Sequence, residues 1–329
     1  MQPLLSEPSL ASPADLALCR HMIRQGSRSF HLASLLLPER YREPARALYG
    51  FCRMADDAVD NSSDPQQAVN MLMARLDRIY DHNPDDAATD RAFADVVRHF
   101  AIPRALPDAL IEGFAWDATG KRYETLSDVT AYAVRVAGTV GMMMSLIMGC
   151  RSANGLARSV DLGIAMQFSN IARDLEEDAA NNRLYLPAEW KTKSTTSADL
   201  ASRLVDEAEE IYARAETGIS LLPRNCRASI HAARLLYREI GHEAKRRGHK
   251  GRAIVSGKRK TMLMLQAFPA ALSRTIASEA PAIPEARFLI DAVLSGRPPH
   301  HQPKTITERA LWVMELFKAL ESRNQRGPS

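Results

Sequence analysis

QFSNIARDLEED, Gln167 to Asp178, reads as helix and closes on four acids in five residues. Like charges four apart on a helix destabilise it by roughly 0.2 to 0.5 kcal/mol a pair, so the segment keeps a repulsion that helix formation alone would remove. On a wheel of about 100° per residue, Gln167, Asn170, Asp174 and Asp178 fall in a band about 80° wide, while Glu176 points to the opposite side. Amide and carboxylate oxygens thus share one face.

A second stretch repeats the arrangement. In LYGFCRMADDAVD, Leu48 to Asp60, the side chains of Tyr49, Arg53, Asp56 and Asp60 occupy a band about 60° wide. The rest of the chain carries the same 3.6-residue period in successive segments, near 13–25, 42–61, 65–82, 87–100, 106–120, 126–149, 155–181, 197–221, 225–247, 258–274, 284–295 and 305–322. Strand-like alternation is scarce, so the expected fold class is all-α. Pro65 after Asp64, the pair Thr125 and Asp128, and Pro187 and Pro223 supply the helix punctuation. No repeat period points to a solenoid.

The expected organisation is a loose Pro- and Ser-rich tail over 1–12, one domain over 13–294, and a linker with a C-terminal amphipathic helix over 295–329. In that last helix Val313, Leu316, Phe317 and Leu320 form an apolar stripe. Such a stripe ordinarily packs on the protein's own core, with membrane or partner contact as the alternative.

With 329 residues, 46% of them hydrophobic and 25% charged, the chain can bury a sizeable core. The net charge of +4 gives no argument for nucleic acid as a partner. Cys19, Cys52, Cys150 and Cys226 show no C-x-x-C spacing, and the N-terminus lacks the basic and apolar regions of a signal peptide, which predicts a cytoplasmic, reducing setting. The weakly polar run from Val136 to Gly149 is short for a bilayer span and reads as a buried helix. The nine histidines form no metal-ligand spacing.

Two helices with Asp at i and i+4 on faces embedded in apolar sequence repel unless a cation lies between them. Unit charges near 4 Å at an effective dielectric of 20 interact by about 4 kcal/mol, and neither helix has enough Lys nearby to neutralise both pairs. Oxygen ligands without His or Cys favour Mg²⁺ or Mn²⁺ over Zn²⁺, and Mg²⁺ fills its remaining positions with water and substrate phosphate. Arg53, Arg173 and Arg183 would then offer donors to the same phosphates. Spacing leaves a second reading open, because a D-x-x-x-D on a helix is ordinarily a solvated face.

GSRSF (Gly26 to Phe30), YGFCRMADDAVD (Tyr49 to Asp60), RYET with YAVRVAGTVG (Arg122 to Gly141) and QFSNIARDLEEDAANNRLYLP (Gln167 to Pro187) resemble the squalene and phytoene synthases, most closely the bacterial phytoene synthases. The similarity covers about residues 15 to 290. It implies a single-domain, all-α isoprenoid-synthase bundle around a central apolar cavity, and a head-to-head condensation of two geranylgeranyl diphosphates to phytoene in carotenoid biosynthesis. It further implies Asp56, Asp60, Asn170, Asp174 and Asp178 as Mg²⁺ ligands, with Gln167 beside them. Arg53, Arg173 and Arg183 would grip diphosphate. Ser27, Ser29 and Phe30 match the family's N-terminal substrate motif, and Tyr49 and Tyr132 match tyrosines near the reacting carbons. Other carotenoid-pathway enzymes are the expected protein partners.

One departure concerns EAKRRGHKGRAIVSGKRK, which lacks the tyrosine that the family often carries just before its basic motif. This segment holds eight Lys or Arg from Lys245 to Lys260 and no acid in that interval. A solvated face, a diphosphate-facing lid and contact with anionic lipid all fit it. Because substrate tails and product are lipids, the expectation is peripheral attachment to the inner face of the membrane. Ala137, Gly138 and Gly141 either leave room beside a cavity or serve ordinary close helix packing. No G-x-G-x-x-G follows a strand, which predicts a reaction without nicotinamide. The competing readings are a squalene or dehydrosqualene synthase using farnesyl diphosphate, a terpene cyclase or chain-elongating prenyltransferase, and a non-catalytic helical scaffold.

Overall fold

The computed structural model describes residues 9–248, 252–273, 276–296, 313–315 and 317–318. Among these the chain is helical with no strand. The helices are α1 (Pro13–Gly26), α2 (Arg28–Ser34), α3 (Glu39–Asp60), α4 (Pro65–Tyr80), α5 (Ala88–Phe100), α6 (Ala105–Ala118), α7 (Leu126–Ala133), α8 (Thr139–Ile147), α9 (Ala153–Ala180), α10 (Ser197–Gly218), α11 (Arg224–Arg247), α12 (Gly257–Leu272) and α13 (Arg287–Ser295). A π turn, Val134–Gly138, joins α7 to α8 without a break.

Local chemistry sets these boundaries. Asp64 caps α4 by accepting from the Gln67 N–H at 2.9 Å, with Pro65 opening the helix. Thr125 with Asp128 and Thr196 with Asp199 form reciprocal capping boxes on α7 and α10. Helix α2 escapes the periodicity reading because it has only seven residues; Ser27 caps it through the Phe30 N–H at 3.3 Å.

The expectation of a loose tail up to residue 12 is corrected for residues 9–12. The Asp95 carboxylate accepts from the Ser9 hydroxyl at 2.6 Å and from the Leu10 and Ala11 N–H groups at 3.1 and 3.0 Å, and Ser12 caps α1. At the other end, Val313 and Phe317 are buried in the main core, as an inward-facing stripe requires, while Leu316 and Leu320 lie outside the described residues, as does the expected linker beyond Gly296.

Helix α9 runs through the centre and packs on α8, α10 and α11. It approaches α8 and the π turn very closely. A Cβ on Gly141 would come 2.3 Å from the Ser159 carbonyl oxygen, and one on Gly163 would come 2.4 Å from that of Ala137. The small residues thus serve close packing, and Ala137, Gly141 and Gly163 also line the cavity described below. The stretch Leu126–Ile147 is long and apolar enough to cross a membrane, but most of it is buried within the bundle. All four cysteines are free.

Candidate functional site

A cavity of about 410 Å³ opens between α3, α8, α9 and α11. Its lining follows α9 from Asn170 back to Gly155, a distance of about 22 Å at the rise of an α-helix. Most of the wall is apolar. Leu37, Ala45, Met148, Ile219 and Leu222 form a small packed cluster that closes the far end, whereas Arg53, Asp56, Gln167 and Asn170 stand at the near end.

The two acidic strips meet at this near end. Arg183, which follows α9, links them: its N–H donates to the Asp178 carbonyl at 2.8 Å and its guanidinium donates to the Asp60 carboxylate on α3 at 2.8 Å. Arg173 holds its neighbour Asp174, donating from Nε at 2.8 Å, and Arg252 approaches the same carboxylate at 3.0 Å. Arg53 pairs with Asp57 at 2.6 Å and reaches Asp56 at 3.5 Å. The arginines assigned to diphosphate therefore hold carboxylates in this structure. Arginine, rather than the lysine considered from sequence, supplies the nearby positive charge.

That supply is incomplete. Burial, then the charge of Asp60, pushes the Asp56 carboxyl up to about 6. Burial, then the charge of Asp174, pushes Asp178 up to about 7. Among the described residues no ion pair reaches Asp178, and the buried Asn170 Oδ1 accepts no hydrogen bond. These groups are all oxygen donors short of positive charge, which fits a hard divalent cation. Among the described residues no three carboxylate, imidazole or thiol groups converge on one point. Ligands from the substrate and water would have to complete each coordination sphere.

Aromatic groups stand just inside. Phe30 tilts against Tyr49 at 6.3 Å and against Tyr237 at 5.1 Å. The Tyr49 hydroxyl abuts Gly26, where a Cβ would come 2.2 Å from it. Ser27 stands behind this wall and shares a 3.3 Å hydrogen bond with the Tyr237 hydroxyl, while Ser29 is buried and is not among the residues that line the cavity. Tyr237 answers the expected lack of a tyrosine ahead of the basic segment. It reaches the cavity from α11 about two turns before Lys245.

The Asp117 site escaped the sequence reading. The Asp117 carboxylate lines the cavity and accepts from the Tyr132 hydroxyl at 3.0 Å and the Tyr185 hydroxyl at 2.7 Å. The two rings stack with centroids 4.9 Å apart. Burial pushes Asp117 up to about 7 despite both hydrogen bonds. The basic segment is also less free than its composition suggests. Lys245 pairs with Asp206, Arg246 and Arg247 with Glu243, and Arg259 with Glu239.

Residues 23–266 match the squalene/phytoene synthase family. The chain is 44% identical to the phytoene synthase of Rhodobacter capsulatus over 96% of this chain and 98% of that one. It is 40% identical to the 15-cis-phytoene synthase of a Paracoccus species over 71% and 84%. A crystal structure of a dehydrosqualene synthase in complex with ligand superposes with a TM-score of 0.70 at 28% identity, covering 78% of this chain and 96% of that one. A squalene synthase from Alicyclobacillus acidocaldarius shares the fold at a TM-score of 0.65 and 24% identity, over 72% and 95%. Two acid strips at one end of an apolar cavity and these similarities lead to one conclusion: the chain belongs to the squalene/phytoene synthase family and is an enzyme of the prenyltransferase class.

Proposed function

We propose that the enzyme joins two geranylgeranyl diphosphates head to head to give phytoene, through a cyclopropyl diphosphate and with release of both diphosphates, in carotenoid biosynthesis. The observation that carries this reading is the cavity with charged groups at one end and an apolar wall beyond, which suits a diphosphate with a long hydrocarbon tail. The relatives named phytoene synthase support the choice of substrate.

Asp56, Asp60, Asn170, Asp174 and Asp178 would hold Mg²⁺, with Mn²⁺ as the alternative. When bound, the ion would supply positive charge to the leaving diphosphate oxygens. Arg53, Arg173 and Arg183 then exchange carboxylate partners for phosphate oxygens, placing fixed donors where negative charge develops. Loss of diphosphate leaves an allylic cation in the apolar part of the cavity. The double bond of the second substrate attacks it, and loss of a proton from the attacked carbon closes the ring of the cyclopropyl diphosphate; ionisation of its diphosphate, rearrangement and loss of a second proton give the hydrocarbon. The faces of Phe30, Tyr49 and Tyr132 stabilise the migrating charge by about 0.5 to 2 kcal/mol each. Gln167 helps align the diphosphate end, Ser27 holds Tyr237 of the aromatic wall in place, and Ser29 belongs to the same substrate motif.

We further propose that the enzyme works in the cytoplasm at the inner face of the membrane, near other enzymes of the pathway. The test of the reaction is product analysis from purified protein given labelled geranylgeranyl diphosphate and Mg²⁺ without nicotinamide. A single forty-carbon hydrocarbon is expected. Cyclic twenty-carbon products, longer linear diphosphates, or a thirty-carbon product formed at least tenfold faster from farnesyl diphosphate would overturn the reading.

A further inference from the structure

Helix α12 is apolar on two sides, and only one of them is buried. Leu263 and Ala267 face the core, and Met264 packs against it. On the far side Met262, Leu265, Phe268 and Leu272 are exposed, Leu265 by 65% and Leu272 by 84%. These four fall within an arc of about 120°. No charged residue occurs from Thr261 to Ser273, although a helix with one face in water ordinarily carries charges there.

The charges that this segment itself places beside the patch have one sign, although Arg259 is paired with Glu239 of α11. Lys258 stands one turn before Met262 on the same side of the helix and is exposed. No acid occurs anywhere from Ala244 to Ser278. Ile276, just beyond the helix, is also exposed. An apolar strip flanked by lysine and arginine suits the interface of an anionic bilayer, where acyl chains take the apolar side chains and head groups take the cations. A second copy of the chain would bring basic segments together with no acid from this stretch to offset them.

The patch also adjoins the proposed active end of the cavity. Arg252, on the α11–α12 connection, pairs with Asp174, and α12 packs along α11, which carries Tyr237. We infer that this face of α12 is a docking surface for an anionic phospholipid bilayer, seating the diphosphate end of the cavity beside the membrane. The inference names the surface behind the peripheral attachment proposed above and rests on that reading.

The test uses the full chain in sedimentation with vesicles of phosphatidylcholine alone and of phosphatidylcholine with phosphatidylglycerol. The unchanged protein should pellet with the anionic vesicles at least tenfold more than Leu265→Glu/Phe268→Glu does, and both should make hydrocarbon from detergent-dispersed geranylgeranyl diphosphate at rates within twofold. Equal pelleting with both vesicle types, or equal pelleting of both proteins, overturns the docking surface. So does a dimer in solution that the double substitution abolishes. Failure of both proteins to make hydrocarbon in detergent would remove the proposed reaction and leave the vesicle result standing.

Discussion

The two ends of the cavity bury charge in opposite ways. At the far end Arg158 and Asp161, each about 1% exposed at the side chain, pair at 3.1 Å, and Arg214 approaches the same carboxylate at 3.3 Å. The two guanidinium groups also donate to the carbonyls of Ala280 and Pro281 at 3.1 and 3.0 Å, tying the chain before α13 to α9 and α10. Here positive charge exceeds negative and backbone oxygens absorb the excess. At the near end acids outnumber the arginines beside them, and Asp56 and Asp178 are pushed toward their neutral forms. The far cluster has its cations in place, although burial still raises the Asp161 carboxyl and leaves Arg158 Nη1 without a hydrogen bond, while the near one stays short of cations that a ligand can bring.

The sharpest way to break this contrast is to remove one acid from each end. Asp174→Ala should lower turnover by about a thousandfold or more, the scale of losing a group that positions transition-state charge. Its unfolding midpoint should fall less than that of a variant broken at the far end, because the pairs it loses with Arg173 and Arg252 are partly solvated and its removal relieves repulsion with Asp178. Mg²⁺ with inorganic diphosphate should stabilise the unchanged protein, by about 2.7 kcal/mol at a hundred times the dissociation constant, and leave Asp174→Ala nearly unmoved. Retained turnover would remove the metal assignment.

Asp161→Ala should do the reverse. It strands Arg158 without its carboxylate, and breaking one half of a buried pair costs about 3 to 5 kcal/mol. Denaturant titration would read this directly, with the activity of the remaining folded protein close to normal. An unchanged midpoint would mean that the far cluster contributes nothing to the fold.

The contrast also explains what could be read ahead of the structure. The strips on α3 and α9 were legible because the helical period alone brings residues four apart onto one side. Asp117 was not, since Tyr132 and Tyr185 reach it from 15 and 68 residues away and its own segment offers no periodic partner. Arg158 and Asp161, three apart on a helix, look on sequence like a solvated ion pair; only packing shows them buried. The exposed face of α12 was not legible either, because apolar residues on two sides of a helix do not show which side packs. Tyr237 was missed because the expected tyrosine was sought beside the basic segment rather than about two turns before it.

An effect that depends on pH separates Asp117 from both clusters. Its carboxyl is raised from an ordinary value near 3.8 to about 7, so between those values the folded chain keeps a proton that the unfolded chain has lost. Stability from this group is therefore greatest below pH 4, declines as pH rises toward 7 and is level above it. Asp117→Asn removes that dependence. The stability of the variant relative to the unchanged protein should rise by about 1.4 kcal/mol per pH unit across the window. Parallel pH profiles from denaturant titrations would show that Asp117 does not titrate there.

The smallest expected effect distinguishes a ring from its hydroxyl. Tyr237→Phe loses the shared hydrogen bond with Ser27, whose 3.3 Å length suggests a contribution of no more than about 1 kcal/mol. It keeps the ring beside Phe30. If the aromatic face is what serves the cation, turnover should fall less than threefold in Tyr237→Phe and at least tenfold in Tyr237→Leu, which stays apolar but loses the π-face. Equal losses in the two variants would shift the role of Tyr237 to its hydroxyl, and with it the reason for Ser27 at the start of α2.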